Sequence, residues 1–351
     1  MNRWDRRASD CTAAAHYAQA VSDHRVEALL DATGYTAGGP GVAVALRRPD
    51  GTTVTAARGR ADPHRPFTPA TVSYTAAVSK QIVAACIART VLDGALDTRV
   101  PLRRWLPYLP PWADRVRIHH LAHHTSGLPT DAWVAGRIAS RSGCRWDGPA
   151  VLRALATLPR LDFPPGSRFR SCSADYIALA ALVERIVGNL ARFAERRLFA
   201  PLGMTRTTLW STAGALPADC AAGHPADAEM GAWPLPLSIG DGGVWSTVED
   251  LHRWNTALLP GGVLDDRLRT LLHAPGRLDD GRAVEYAWGV HVGRDGAGRL
   301  VHSHGGHWAG GWTAGTVRLP DVGLTVAALS NSGDTAALTA LSSGLVEQFA
   351  P

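Results

Sequence analysis

With 351 residues, 46% of them hydrophobic, the chain is long enough to bury a large core in one body or two lobes. Its formal net charge of +5 is carried by dispersed arginines, as in Arg103-Arg104 and Arg196-Arg197. That pattern lacks the basic block expected of a nucleic-acid partner. The polar start from Met1 to Arg7 has no apolar run of signal-peptide type, and no later stretch reaches transmembrane length. The expected setting is therefore the cytoplasm, with no membrane partner. Cys11, Cys86, Cys144, Cys172 and Cys220 show no paired spacing and read as reduced thiols, not as a disulfide framework or zinc site. High Ala, Arg and Gly with very little lysine looks like GC-rich coding bias and carries no functional weight.

A helix is expected first, over about residues 13–33. Residues 41–46 read as a strand, Pro49-Asp50-Gly51 as a hairpin turn, and 52–57 as the returning strand. From about 82 to 245 the sequence is helical and loop-rich, with 107–111 and 216–234 as loops. Ser246-Thr247-Val248-Glu249 has capping-box spacing, which predicts a helix start with Ser246 as the cap. Strands follow over 299–304, 312–319 and 324–330, with a turn at Pro320 to Gly323, and a final helix over 335–349. Strands at both ends with helices between them predict one antiparallel sheet built from distant parts of the chain and flanked by terminal helices. The expected class is α/β (α+β) in a single domain, 1–351. Its sheet lobe would hold about 1–81 and 246–351, its helical lobe about 82–245, with the site between them.

The chemistry centres on Ala77-Val78-Ser79-Lys80-Gln81, which runs into the apolar stretch Ile82 to Ala88. This is the layout of an S-x-x-K motif at the start of a buried helix, with alanine in the serine position. Residues three apart share one helical face, so an amine at Lys80 would take the proton of a hydroxyl at position 77. The helix N-terminus there favours developing negative charge. A lysine one turn into a wholly apolar helix is not an ordinary surface lysine.

Further motifs follow in order: Ile118-His119-His120-Leu121-Ala122-His123-His124-Thr125-Ser126-Gly127-Leu128-Pro129, then Pro165-Gly166-Ser167-Arg168-Phe169, Pro201-Leu202-Gly203-Met204, Ser246 to Leu251, and His304-Gly305-Gly306. Over roughly residues 40 to 335 the chain resembles the serine β-lactamase and penicillin-binding-protein-like family. The similar branch is that of class C β-lactamases, esterases, D-amino-acid peptidases and transacylases. The resemblance implies a β-lactamase/transpeptidase-like fold and acyl transfer on a small carbonyl substrate (ester, amide or thioester), without a cofactor. It places Ala77 at the nucleophile position, Lys80 as base, Ser171 where the tyrosine of Y-x-N belongs, and His304 at the head of the third motif. It also makes the backbone N–H groups of Ala77 and His307 the oxyanion donors. Ser173 replaces the asparagine amide only in part, and Gly306, His307, Trp308, Trp312 and Trp133 are expected to contact substrate.

Ala77 leaves three accounts open: an engineered substitution, a natural loss with Lys80 retained for other chemistry, or a pseudoenzyme that binds a ligand or partner. Ser79 lies about 200° round the helix from position 77 and reads as a buried or capping hydroxyl. Cys172 reads as a small core thiol rather than a replacement nucleophile. The groups His302/His304/His307 and His119/His120/His123/His124 lie inside family motifs that need no metal, and no metal is expected.

Overall fold

The computed structural model describes residues 23–140, 145–210, 217, 219–224 and 237–351. Among the described residues, nine strands fall in two antiparallel sheets. The strands are β1 (Val42–Arg47), β2 (Thr53–Arg58), β3 (Ser73–Tyr74), β4 (Thr208–Leu209), β5 (Val244–Ser246), β6 (His291–Arg294), β7 (Leu300–Trp308), β8 (Trp312–Leu319) and β9 (Leu324–Ser330). The larger sheet has the order β2-β1-β9-β8-β7-β6, and β3-β5-β4 form the smaller one. In the larger sheet β1 pairs with β9 from the far end of the chain, Val42 opposite Ser330 and Arg47 opposite Thr325. The first hairpin is thereby joined to the last.

Side-chain size explains how that sheet is covered. In β1, Val42, Val44 and Leu46 alternate with Ala43 and Ala45, and alternate residues face opposite sides of a strand. The larger side chains pack with Val26 and Leu30 of the helix His24–Ala32 and with Leu338, Leu341 and Leu345 of the helix Thr335–Phe349. Alanines on the other face let Val248 and Leu251 of the helix Val248–Ala257 approach closely. Each fully buried Val or Leu contributes about 1.5–3 kcal/mol. A separate core gathers around the helices Ser79–Leu92 and Ser173–Val187. The lower part of the expected first helix, and most of the expected loop at 216–234, lie outside the described residues.

One expectation is corrected. Thr247, not Ser246, caps the helix Val248–Ala257, accepting a hydrogen bond from the Asp250 N–H. Ser246 belongs to β5 opposite Ser73, and its hydroxyl is paired with that of Thr207. The predicted strand at 299–304 also runs on as far as Trp308. No helix among the described residues is long and apolar enough to cross a membrane.

Candidate active site

β3 delivers the chain into a short 3-10 turn, Ala76–Val78, which becomes the helix Ser79–Leu92. Ala76 has φ +44°, a left-handed conformation that costs a residue with a β-carbon about 1–3 kcal/mol. The strain lies one residue before Ala77 and turns the backbone sharply into the helix. Ser79 is fully buried: its hydroxyl is 2.9 Å from that of Thr75 and accepts from the Val244 N–H at 3.1 Å. It is a locking group for the turn, facing the core.

Lys80 is 5% exposed. Its Nζ lies 5.6 Å from the centroid of the Tyr176 ring and forms no salt bridge among the described residues. It is also the only lysine in the chain, which otherwise carries its fixed positive charge on arginine. Two glycines press other segments onto this turn. A β-carbon at Gly289, where φ is +77°, would stand 2.5 Å from the Lys80 carbonyl oxygen, and one at Gly306 would stand 2.7 Å from the Ala77 nitrogen. The third motif thus abuts the backbone of position 77.

His304 is buried and fully engaged. Its Nδ1–H donates to the Gly305 carbonyl at 2.6 Å, which leaves Nε2 to accept from the Tyr286 hydroxyl at 3.1 Å. Burial, helped by the charge on Lys80, lowers its pKa to about 3, so the ring is neutral. Tyr286 was not singled out by sequence reasoning. Its signal was only an aromatic pair with Trp288, in a stretch without helix or strand periodicity. Burial raises its phenol well above the usual range, which keeps it a donor.

The second motif gives less. Ser171 is exposed and begins no contact that replaces a phenol. Ser173 donates both its N–H and its hydroxyl to the Asp131 carboxylate, each at 2.8 Å, so that hydroxyl is committed to a neighbour that sequence reasoning did not consider. Trp133 lies two residues beyond, half-buried, with the Arg137 guanidinium 5.0 Å from its ring. Trp312 corrects the idea of an open aromatic rim. It is buried against Tyr74 and Trp245, and its indole N–H donates to the Ala221 carbonyl at 3.1 Å. Trp308 is half-buried against the same cluster, and His307 is exposed on the opposite side of β7 from His304.

Behind these groups lies a buried pair that sequence reasoning missed. His124, at φ +56°, brings Nδ1 to 2.7 Å from Asp175 Oδ2, and the Ser126 hydroxyl donates to Asp175 Oδ1. The distance is that of a salt bridge, yet burial lowers the His124 pKa well below its usual value and raises that of Asp175 to about 8. Desolvation of both partners therefore favours a neutral hydrogen-bonded pair over an ion pair. Cys172 is buried beside them, and desolvation pushes its thiol well above the ordinary range, which makes it a poor nucleophile.

The other histidines of the two sequence groups are held by neighbouring groups rather than by one another in a metal-like cluster. His120 Nδ1 accepts from the Arg117 N–H at 3.0 Å, the His123 ring lies 2.9 Å from the His119 carbonyl, and His302 stacks on His273 at 4.0 Å. Among the described residues no three His, Cys, Asp or Glu side chains are placed to hold a metal.

Comparison with known proteins bears on the family and the fold. Residues 23–346 match the family described as Beta-lactamase. The chain is 27% identical over 315 residues to a D-aminopeptidase of Gluconobacter oxydans, covering 88% of this chain and 58% of that protein. It is 39% identical over 167 residues to the esterase EstB of Burkholderia gladioli, covering 42% of this chain and 41% of that protein. The chain thus spans less than two thirds of the length of these relatives. Among solved structures, the penicillin binding protein from Bacillus halodurans superposes with a TM-score of 0.77 at 22% identity, over 94% of this chain and 100% of that one.

Proposed function

The chain belongs to the beta-lactamase family, and from that premise we propose that its cleft acts on the carbonyl of a small ester, amide or thioester, with Lys80 as proton acceptor and no covalent intermediate on residue 77. Alanine offers no oxygen for acylation. Water at the place of the missing hydroxyl attacks the carbonyl, its proton passes to the Lys80 amine, and the new C–O bond forms as charge develops on the carbonyl oxygen. The N–H groups of Ala77 and His307 receive that charge. Collapse breaks the bond to the leaving group, which takes the proton back from Lys80.

One observation carries this reading: the chain keeps a single lysine, and keeps it buried and without a salt bridge at this turn. A buried amine with no salt bridge among the described residues is costly to fold around, so its presence at this turn supports a chemical role. The D-aminopeptidase and esterase relatives support an amide or ester substrate. We place that substrate among small secondary metabolites handled in the cytoplasm; preferential binding of peptidoglycan fragments over small acyl compounds overturns that part.

A second reading, a cleft that binds without turnover, is favoured by the joint loss of side-chain chemistry at Ala77 and Ser171. Lys80→Ala separates the two. Hydrolysis of nitrophenyl esters, amino-acid amides and acyl thioesters that disappears in the variant supports catalysis. Absence of turnover in the wild type, with ligand affinity unchanged by Lys80→Ala, supports binding alone.

A further inference from the structure

Arg318 of β8 is 1% exposed and has no carboxylate partner among the described residues. Its Nη1 donates instead to two neutral side chains, Gln81 Oε1 at 2.7 Å and Asn255 Oδ1 at 2.9 Å, while its buried Nε–H has no partner. A buried cation held only by neutral groups carries a desolvation cost that a well-packed hydrophobic side chain of similar volume avoids. Stability alone therefore does not account for an arginine here.

The contacts of that guanidinium lead to Lys80. Gln81 follows it in the first turn of the helix Ser79–Leu92, and both ends of the Gln81 amide are engaged: Oε1 accepts from Arg318, and Nε2 donates to Thr316 Oγ1 at 2.9 Å. Thr316 and Arg318 are alternate residues of β8, directly opposite His304 and His302 of β7. Directly opposed side chains share one face of a sheet, so the amide is fastened to the sheet beside His304. Asn255, the other acceptor of Nη1, is itself tied to the sheet, its Nδ2 donating to the Val326 carbonyl of β9 at 3.0 Å. On the opposite side of Lys80, the Ser79 hydroxyl accepts from the Val244 N–H of β5. Lys80 thus stands between two anchored neighbours, one tied to each sheet.

We propose that Arg318 and Gln81 are positioning residues for Lys80: the guanidinium holds the Gln81 amide, and the amide holds the first turn of the helix against the strand pair that carries His304. The proposal rests on the reading of Lys80 as proton acceptor. It assigns the placing of that amine to Arg318, which lies outside the sequence motifs. With no salt bridge at Nζ among the described residues, the amine takes its place from the backbone of its own turn. A hydrogen bond from a charged donor is shorter and stronger than one between neutral groups, which is what an arginine brings to this contact and a neutral donor does not.

Lys80 is the only lysine in the chain, so its labelling by an amine-reactive reagent, located by peptide mass on the full chain, reads the opening of this turn. Gln81→Met keeps the bulk of the side chain and removes both hydrogen bonds; under conditions where melting curves show folded protein, it should label Lys80 about tenfold faster than wild type. Arg318→Met should do the same, and the double variant no more than either, because the two residues act in series. Gln81→Glu keeps an acceptor for Arg318 and a partner for the Thr316 hydroxyl, and should label at the wild-type rate. Leu251→Ala loosens the same sheet from the helix Val248–Ala257 without touching Gln81 or Arg318; it should melt lower and still label at the wild-type rate. The proposal is overturned by wild-type labelling in Gln81→Met, by additive effects in the double variant, or by labelling that simply follows melting temperature across the set. Should Arg318→Met fail to fold, the two Gln81 variants and Leu251→Ala decide the matter. None of these readouts needs turnover, so failure to hydrolyse any substrate would count against the proposed function alone.

Discussion

Gly306 of β7 lies directly on Ala77: a β-carbon at position 306 would stand 2.7 Å from the Ala77 nitrogen and 2.6 Å from the Thr75 carbonyl oxygen. Both obstacles are backbone, so neither can swing aside. Gly306→Ala should therefore push β7 away from the turn, lowering stability by about 1–3 kcal/mol and weakening carbonyl ligands more than tenfold in calorimetric titration. Unchanged melting and unchanged affinity would show that the contact relaxes freely and that the N–H group of Ala77 is not part of a fixed site.

Lys80 should separate stability from function. Lys80→Met keeps the length of the side chain and removes a buried amine that has no salt bridge among the described residues. The variant should melt higher, by an amount matching about 1–3 kcal/mol, while losing hydrolysis of any substrate the wild type accepts. A drop in melting temperature would mean that the amine is stabilised by its surroundings, and the argument from its presence at this turn would fail.

Restoring the hydroxyl tests the turn itself. Ala77→Ser should gain a covalent adduct with a nitrophenyl ester or a chromogenic cephalosporin, seen by intact mass, because Lys80 and the strained turn remain in place. The wild type should show none. If the serine variant stays unlabelled with every reagent, the missing phenol at Ser171 has disabled acylation as well.

Stability should peak near pH 6.5. His304 and His123 are held at about 3 and about 4 in the folded chain, below the ordinary value of 6.5. Between those values the unfolded chain binds protons that the folded chain refuses, so stability falls as the solution is acidified below 6.5. Asp175 works in the opposite sense. Held at about 8 against 3.8 when unfolded, it stabilises the fold at low pH, and that contribution is lost as pH rises through about 8. Each proton is worth at most about 1.4 kcal/mol per pH unit. Above 6.5 only the aspartate limb remains, and thermal melts of Asp175→Asn should lack it. A wild-type melting temperature that stays flat from pH 6.5 to 8 contradicts the assignment.

What the sequence disclosed followed from local rules. The strands at 312–319 and 324–330 and the helix at 335–349 coincide with their structural bounds, because turn residues punctuate them and period-2 patterning fills them. Lys80 was legible from its place in an apolar helix. His124–Asp175 and Tyr286–His304 were not, because each pair joins separate elements and nothing in the spacing of 51 or 18 residues encodes a hydrogen bond. The cap at Thr247 was missed by one residue because Ser246 was already spoken for by β5, a strand of three residues with no periodicity to read.

The left-handed backbone at Ala76 sits one residue before position 77. Alanine and serine codons differ by a single base, so on the proposed reading a hydroxyl at position 77 is one mutation away in a chain whose backbone already bends just before it. Selection can be asked directly whether alanine is preferred there: a mutational library at codon 77, grown in its own host, would report whether serine is neutral, favoured or purged.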